Sequence, residues 1–273
     1  MTDPGHPPGG LAPPPPGAVA TPRPEPAARP TVVVEGAHVV YRTTRDGRRG
    51  IRDLATRAKG RRRFEEVHAV RGVDLTLRRG ETVGLVGSNG SGKSTLLAAM
   101  TGLLPLRAGS VRAVSRPRLL GVGAALRPAV SGRRNIRIGG LALGLDRRAI
   151  DERIEAVVDF VDIGDAIDRP MSTYSSGQKA RLGFAIATLS TPDVLLIDEA
   201  LVVGDAAFRE RCAERLDEIT AAAGTVVLVT HNLGEIERAD RAVWLDEGQV
   251  RAEGDPGAVV DAYRTATTRR SSG

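Results

Sequence analysis

The apolar run Thr82-Val-Gly-Leu-Val86 ends in Gly87-Ser88-Asn89-Gly90-Ser91-Gly92-Lys93-Ser94, and Ser94 to Gly102 reads as a helix. Glycines at this spacing let successive backbone N–H groups curl around a polyanion. The helix N-terminus adds further donors and a favourable field. The match to G-x-x-x-x-G-K-[ST] carries meaning because a strand precedes it and a helix follows. In that context Lys93 supplies a point charge between β and γ phosphates, and the Ser94 hydroxyl ligates Mg²⁺. Residues 87–94, with Thr95 beside them, form the candidate nucleotide-binding segment.

A second feature fits the same chemistry. Val194-Leu-Leu-Ile-Asp198-Glu199 places two carboxylates at the end of a short apolar strand. In an α/β sheet that end faces the ligand crevice. Asp198 is expected to hold Mg²⁺ through water, and Glu199 to orient or deprotonate the attacking water. Two like charges beside a triphosphate are costly without a cation, so the pair implies a bound metal.

The rest of the chain organises around these two strands. Residues 1–30 contain eleven of the seventeen prolines and read as a disordered leader. Thr31 to Tyr41 and Ala69 to Leu77 read as strands, with a basic stretch between them. From Arg42 to Arg63 there are ten basic and two acidic residues, which accounts for the whole net charge of +6. That concentration weakens any reading of global basicity as a nucleic-acid signal, and no nucleic-acid partner is expected. Residues 149–163 carry Ile150, Ile154, Val157, Val158 and Val161 at helical spacing. Phe208, Cys212, Leu216 and Ile219 line another helix. Val226–Val229 reads as a strand, Ala242–Leu245 starts a hairpin turning at Glu247-Gly248, and residues 262–273 read as a polar tail.

Alternation of strands and helices in the second half argues for a parallel, helix-covered sheet. The expected fold is α/β, with a mainly parallel core sheet and a small antiparallel β subdomain near the start. The single cysteine, Cys212, excludes an intrachain disulfide framework and fits a reducing compartment. No run of about 18 apolar residues is present, so no membrane-spanning helix is expected. No basic start followed by an apolar stretch marks a secretory signal.

Tyr174-Ser175-Ser176-Gly177-Gln178, just before a helix and upstream of Asp198, resembles the LSGGQ signature of ATP-binding-cassette proteins, with Tyr and Ser in place of Leu and the first Gly. The resemblance implies a P-loop NTPase cassette over residues 31–261, with a helical signature subdomain at about 120–185. It implies a head-to-tail dimer in which residues 174–178 of one copy meet the ATP held by residues 87–95 of the other. It also implies that His231, after the strand Val226–Thr230, contacts the γ-phosphate as a switch. An adenine-stacking aromatic is expected. Phe64, 29 residues before Lys93, is the first choice, with His68 and Tyr41 as alternatives. The glutamine that usually couples the nucleotide to the partner is not evident, since no Gln occurs from 96 to 177.

Within this family the chain resembles the polysaccharide and teichoic acid export ATPases. The long linker 42–68, Ser131-Gly132-Arg133-Arg134-Asn135 within 121–145, the variant signature at 174–188 and "DEALVVGDAAFRERC" at 198–212 carry the match. Gly204 and Asp205 stand where the D-loop of ordinary transporters lies. The resemblance implies an ATPase at the cytoplasmic face of a bacterial plasma membrane, paired with a polytopic permease that handles a lipid-linked glycan. The permease is expected to dock near 120–145, where Arg133 and Arg134 meet its acids or remain solvated. A different transporter type, or a soluble cassette acting on ribosomes or nucleic acid, is the alternative.

Overall fold

The structure, a computed structural model, describes residues 28–44, 64–120, 126–198 and 205–271. Among the described residues, nine strands make two sheets. Strands β1 (Pro30–Thr44), β2 (Phe64–Arg78) and β4 (Ala108–Ala113) form an antiparallel sheet with β1 in the centre. Strands β3 (Thr82–Val86), β5 (Arg118–Leu119), β6 (Val194–Asp198), β7 (Thr225–Val229), β8 (Arg241–Asp246) and β9 (Gln249–Gly254) form the second, in the order β5-β6-β7-β3-β8-β9. All pairs there are parallel except β8 with β9.

The two sheets obey different sequence rules. Val83 to Val86 and Val194 to Ile197 are buried without alternation, because helices cover both faces of a parallel sheet. In β1 the buried residues alternate, Val32 then Val34, and resume at Ala37 and Val39. The change of parity falls at Gly36, which has φ +51° and sits at a register shift. A bulge there keeps both halves of the strand facing one core. The Gly36 N–H donates to Asp74 Oδ1 at 2.7 Å, which fixes the irregularity.

Helix α1 (Lys93–Met100) follows β3 and packs Leu96, Leu97 and Met100 into the core shared by the two sheets. Helices α2 (Gly132–Ala142), α3 (Arg147–Asp151), α4 (Ile154–Val161) and α5 (Ser176–Ala187) form a subdomain with its own core of Ile136, Ile154, Val161, Tyr174, Leu182 and Ile186. Helix α6 (Ala206–Ala222) joins it through three rings, Phe160, Phe184 and Phe208, whose centroids lie 5.5 to 6.2 Å apart. Short α7 (Leu233–Ile236) follows β7, and α8 (Pro256–Ser271) follows β9.

The α/β class, the antiparallel subdomain and the helical subdomain all match the sequence reading. Two local expectations change. The periodic stretch 149–163 is two helices, because the intrahelical ladder is interrupted between Asp151 and Ile154. Glu152 and Arg153 nevertheless keep right-handed helical angles, so Ile150, Ile154, Val157 and Val161 still fall on one buried face. The segment from 262, read as a polar tail, continues α8 to Ser271; Val259, Val260 and Tyr263 anchor that helix against Trp244 of β8.

The hairpin turns at the expected place. Glu247 at φ +48° and Gly248 at φ +78° give the double left-handed geometry that matches strand twist.

Candidate functional site

Strands β6, β7 and β3 lie side by side and parallel, so their C-terminal ends open on one edge of the sheet. The loop 87–92 leaves β3 there. Asp198 ends β6 opposite Val229 of β7, and His231 follows two residues after Val229. Three segments far apart in sequence are thereby brought to one crevice, as the parallel topology requires.

The loop is held from below. Gly248 at the hairpin tip donates to Ser91 O at 2.8 Å, and its own carbonyl accepts from Arg71 of β2. Gly92 has φ +105° and a Cβ there would stand 2.3 Å from Ala69 O. Gly87 likewise admits no Cβ, which would lie 2.1 Å from Leu245 O. Both glycines are therefore set by close backbone packing that shapes the loop. Lys93 is buried, and its Nζ donates to Gly87 O at 2.7 Å and Ser88 O at 3.0 Å. The ammonium is thus folded into the loop's own curl. No side chain caps helix α1, so no side-chain acceptor competes with an anion at its N-terminus. Ser94, Asn89 and Gly90 are exposed, Ser88 is half-buried, and Ser91 is buried with its hydroxyl unpartnered.

These residues fit a magnesium–nucleotide. Ser94 and the half-buried Asp198 offer hard oxygen ligands. No group of three or more His, Cys, Asp or Glu side chains gathers into a metal cage among the described residues. A cation that keeps its waters and takes one or two protein oxygens plus phosphate is what such a donor set accommodates. Glu199 lies outside the described residues, as do 200–204.

The signature residues divide into two groups. Ser175 caps α5: its Oγ accepts from Gln178 N at 3.2 Å, and Gln178 Oε1 accepts from Ser175 N at 3.0 Å. This capping box uses the Ser175 hydroxyl as an acceptor only, so its proton stays available. Ser175 and Ser176 are exposed and Gly177 is half-buried. Tyr174, in contrast, turns inward. It is 5% exposed in the subdomain core, and its Oη accepts from Gly132 N at 3.1 Å. Burial pushes the phenol up from its ordinary range.

Sequence reasoning did not anticipate Asn135. It is fully buried, its Oδ1 accepts from Arg127 N at 2.6 Å, and its Nδ2 donates to the carbonyls of Arg127, Val130 and Ser131. The only signal was its place at the end of Ser131-Gly132-Arg133-Arg134-Asn135. Arg133, a candidate for acids on a partner, pairs within the chain instead, with Glu155 at 2.5 Å and Asp168 at 3.1 Å. Those hydrogen bonds raise its pKa further. Arg134 is exposed.

Among the aromatic candidates, Tyr41 reaches the nucleotide segment. It is exposed near the end of β1, with its Oη 3.3 Å from Thr95 Oγ1 on α1. His68 is exposed on β2 beside Val40. The Phe64 side chain and residues 45–63, hence most of the basic stretch, lie outside what the structure describes. Asp205 caps α6 by accepting from Phe208 N at 2.9 Å, and that bond, with Arg181 at 2.5 Å, holds its carboxyl below the usual range.

Known proteins resemble this chain in sequence and in fold. The family model described as ABC transporter matches residues 70–202. The O-antigen export system ATP-binding protein RfbB of Klebsiella pneumoniae is 35% identical over 80% of this chain and 90% of its own length. The teichoic acids export ATP-binding protein TagH of Shouchella clausii is 38% identical over 75% of this chain and 57% of its own length. The chain spans 64% and 46% of the length of two other curated relatives, which it matches at 46% and 44% identity. A dimeric ATP-binding cassette in a post-hydrolysis state, bound to ADP and Pi, has the same fold, with a TM-score of 0.60 at 20% identity over 82% of this chain and 98% of that one. The chain belongs to the ABC transporter family, and the relatives it matches include O-antigen and teichoic acids export ATP-binding proteins.

Proposed function

We propose that this chain hydrolyses ATP to power export of a lipid-linked cell-surface glycan through a separate membrane permease. The observation that carries the reading is the shared edge of β3, β7 and β6, where Lys93 and Ser94, His231 and Asp198 converge. The triphosphate lies along residues 87–95. Lys93 leaves the carbonyls of Gly87 and Ser88 and pairs with the β and γ phosphates. Ser94 and, through water, Asp198 would hold Mg²⁺, which would supply positive charge to offset that of the transferred phosphoryl group. Glu199 aligns the attacking water, and His231 contacts the γ-phosphate. Tyr41, with its hydroxyl at Thr95, is placed to flank the base, and Phe64 remains the other choice.

The exposed N-terminus of α5 supplies Ser175, Ser176 and Gly177 as donors to the ATP held by a second copy, which makes the working form an ATP-sandwich dimer. The dimeric solved cassette supports this assembly. Buried Tyr174 serves the position of that turn and not the nucleotide directly.

No helix among the described residues is long and apolar enough to cross a membrane. The crossing is assigned to a permease, with this chain held by it at the cytoplasmic face of the plasma membrane. A cleft of about 340 Å³ between the end of α2 and the core, lined by Leu103, Arg116, Arg118 and Leu143, is a fitting place for it to dock. Leu103 in its lining is about half exposed, at 48%. The names of the relatives point to O-antigen-like polysaccharide or teichoic acid as cargo.

A Lys93→Ala allele as the sole copy tests the reading. The expected result is lipid-linked glycan accumulating inside the cell while surface glycan falls. Normal surface glycan with a catalytically dead cassette would remove the export role.

A further inference from the structure

Two features of the sequence motifs that nucleotide chemistry does not use are the Tyr174 hydroxyl and the Asn135 amide. They meet on one loop. Residues 127–131 expose Arg127, Pro128 and Ala129 to solvent. From one side the backbone of 171–172 grips the loop: Met171 N donates to Val130 O at 2.9 Å and Ser172 N to Pro128 O at 2.8 Å. Ser131 and Pro170 also form an isolated bridge. From the other side Asn135 makes four hydrogen bonds to Arg127, Val130 and Ser131. Tyr174 closes the ring by accepting from Gly132 N at 3.1 Å.

The next residue after Tyr174 is Ser175, the cap of α5 and the first residue of the exposed signature turn. Loop 127–131 therefore cannot shift without straining Tyr174, and Tyr174 cannot shift without moving Ser175. Only a tyrosine at this position supplies the hydroxyl. Only a glycine at 132 admits it, because a Cβ there would stand 2.5 Å from Tyr174 Oη. The two residues are a matched pair.

We propose that Asn135, Gly132 and Tyr174 form a strut that couples loop 127–131 to the signature turn. It serves in place of the coupling glutamine, which has no counterpart between residues 96 and 177. Tyr174 and Asn135 are positioning residues. Closing the signature turn on ATP tightens the loop, and displacement of the loop by a partner realigns Ser175. This rests on the ATP-sandwich reading above.

The test is hydrogen exchange by mass spectrometry on the full chain carrying Glu199→Gln, with and without ATP and Mg²⁺. ATP is expected to slow exchange in three regions, 87–94, 175–178 and 127–132. Adding Tyr174→Phe is expected to cut the ATP-dependent slowing of 127–132 about fivefold, the scale of one lost hydrogen bond. Protection at 87–94 stays. Gly132→Ala is expected to give the same loss by displacing the hydroxyl. A hydroxyl that only stabilised the fold would change exchange equally with and without nucleotide. Equal ATP-dependent slowing of 127–132 in parent and Tyr174→Phe overturns the strut. So does an absence of slowing there in a parent whose 87–94 and 175–178 are protected. Absence of ATP protection at 87–94 itself overturns the nucleotide reading on which the strut depends.

Discussion

Replacing Asn135 by alanine removes the most heavily bonded polar side chain of the helical subdomain core. The magnitude follows from who loses what. Val130 O still accepts from Met171 N, Arg127 O from Val130 N, and Ser131 O from Asn135 N, so these carbonyls keep a partner each. The Arg127 N–H loses the acceptor it holds at 2.6 Å. An orphaned donor costs about 1–3 kcal/mol and each lost bond to an already paired carbonyl about 0.5 kcal/mol, so roughly 3 kcal/mol is expected in all. With a urea m-value of about 3 kcal/mol/M for a chain of this size, the midpoint falls by about 1 M. Urea titration of the full chain followed by far-ultraviolet circular dichroism measures it. Asn135→Asp keeps the acceptor but turns the amide donor toward three carbonyl oxygens as a second acceptor, so it is expected to cost more than alanine. A midpoint shift below about 0.3 M for the alanine, or an aspartate better tolerated than alanine, would refute the claim that this amide pins the loop.

Other expectations concern the nucleotide and the core. Glu199→Gln should lower ATP turnover by about two to three decades while leaving ATP binding intact, and should trap an ATP-dependent dimer visible by sedimentation. Lys93→Ala should weaken ATP binding itself in equilibrium dialysis, and unchanged affinity counts against the phosphate loop. Tyr41→Ala should weaken binding of an adenine nucleotide more than Phe64→Ala does; the reverse order returns the stacking role to Phe64. Cys212 is buried and its thiol is pushed up to about 11 from 9.0, so it should resist alkylation at pH 8 in the folded chain. Because the folded pKa is the raised one, its contribution to stability is complete below pH 9 and falls as pH rises from 9 toward 11. Denaturation midpoints of the chain and a Cys212→Ala variant should therefore converge across that window.

The core sheet was legible because parallel strands buried on both faces leave uninterrupted apolar runs, as Val194–Ile197 and Val83–Val86 do. The loop 87–92 between β3 and α1 was legible because its glycines, lysine and flanking elements are all local. What stayed hidden depends on contacts across the chain. Tyr174 read as a nucleotide contact from its place in the motif, while its burial depends on Gly132, forty-two residues away. The choice between Tyr41 and Phe64 depends on how β1 packs beside α1, which no spacing encodes. Arg133 read as meeting a partner's acids or solvent because its partners within the chain, Glu155 and Asp168, lie on later elements. The end of α8 was missed because its last turns are polar and its anchors, Val259, Val260 and Tyr263, sit near its start.

The central claim is that this site drives a membrane transporter. The direct measurement is purification of the full chain, expressed at native level, from detergent-solubilised membranes, with mass spectrometry of what accompanies it and ATP turnover of the complex. The account predicts a polytopic permease in equal amount and hydrolysis that Glu199→Gln abolishes. Ribosomal or DNA-associated partners with no permease would contradict it and place the cassette in another machine.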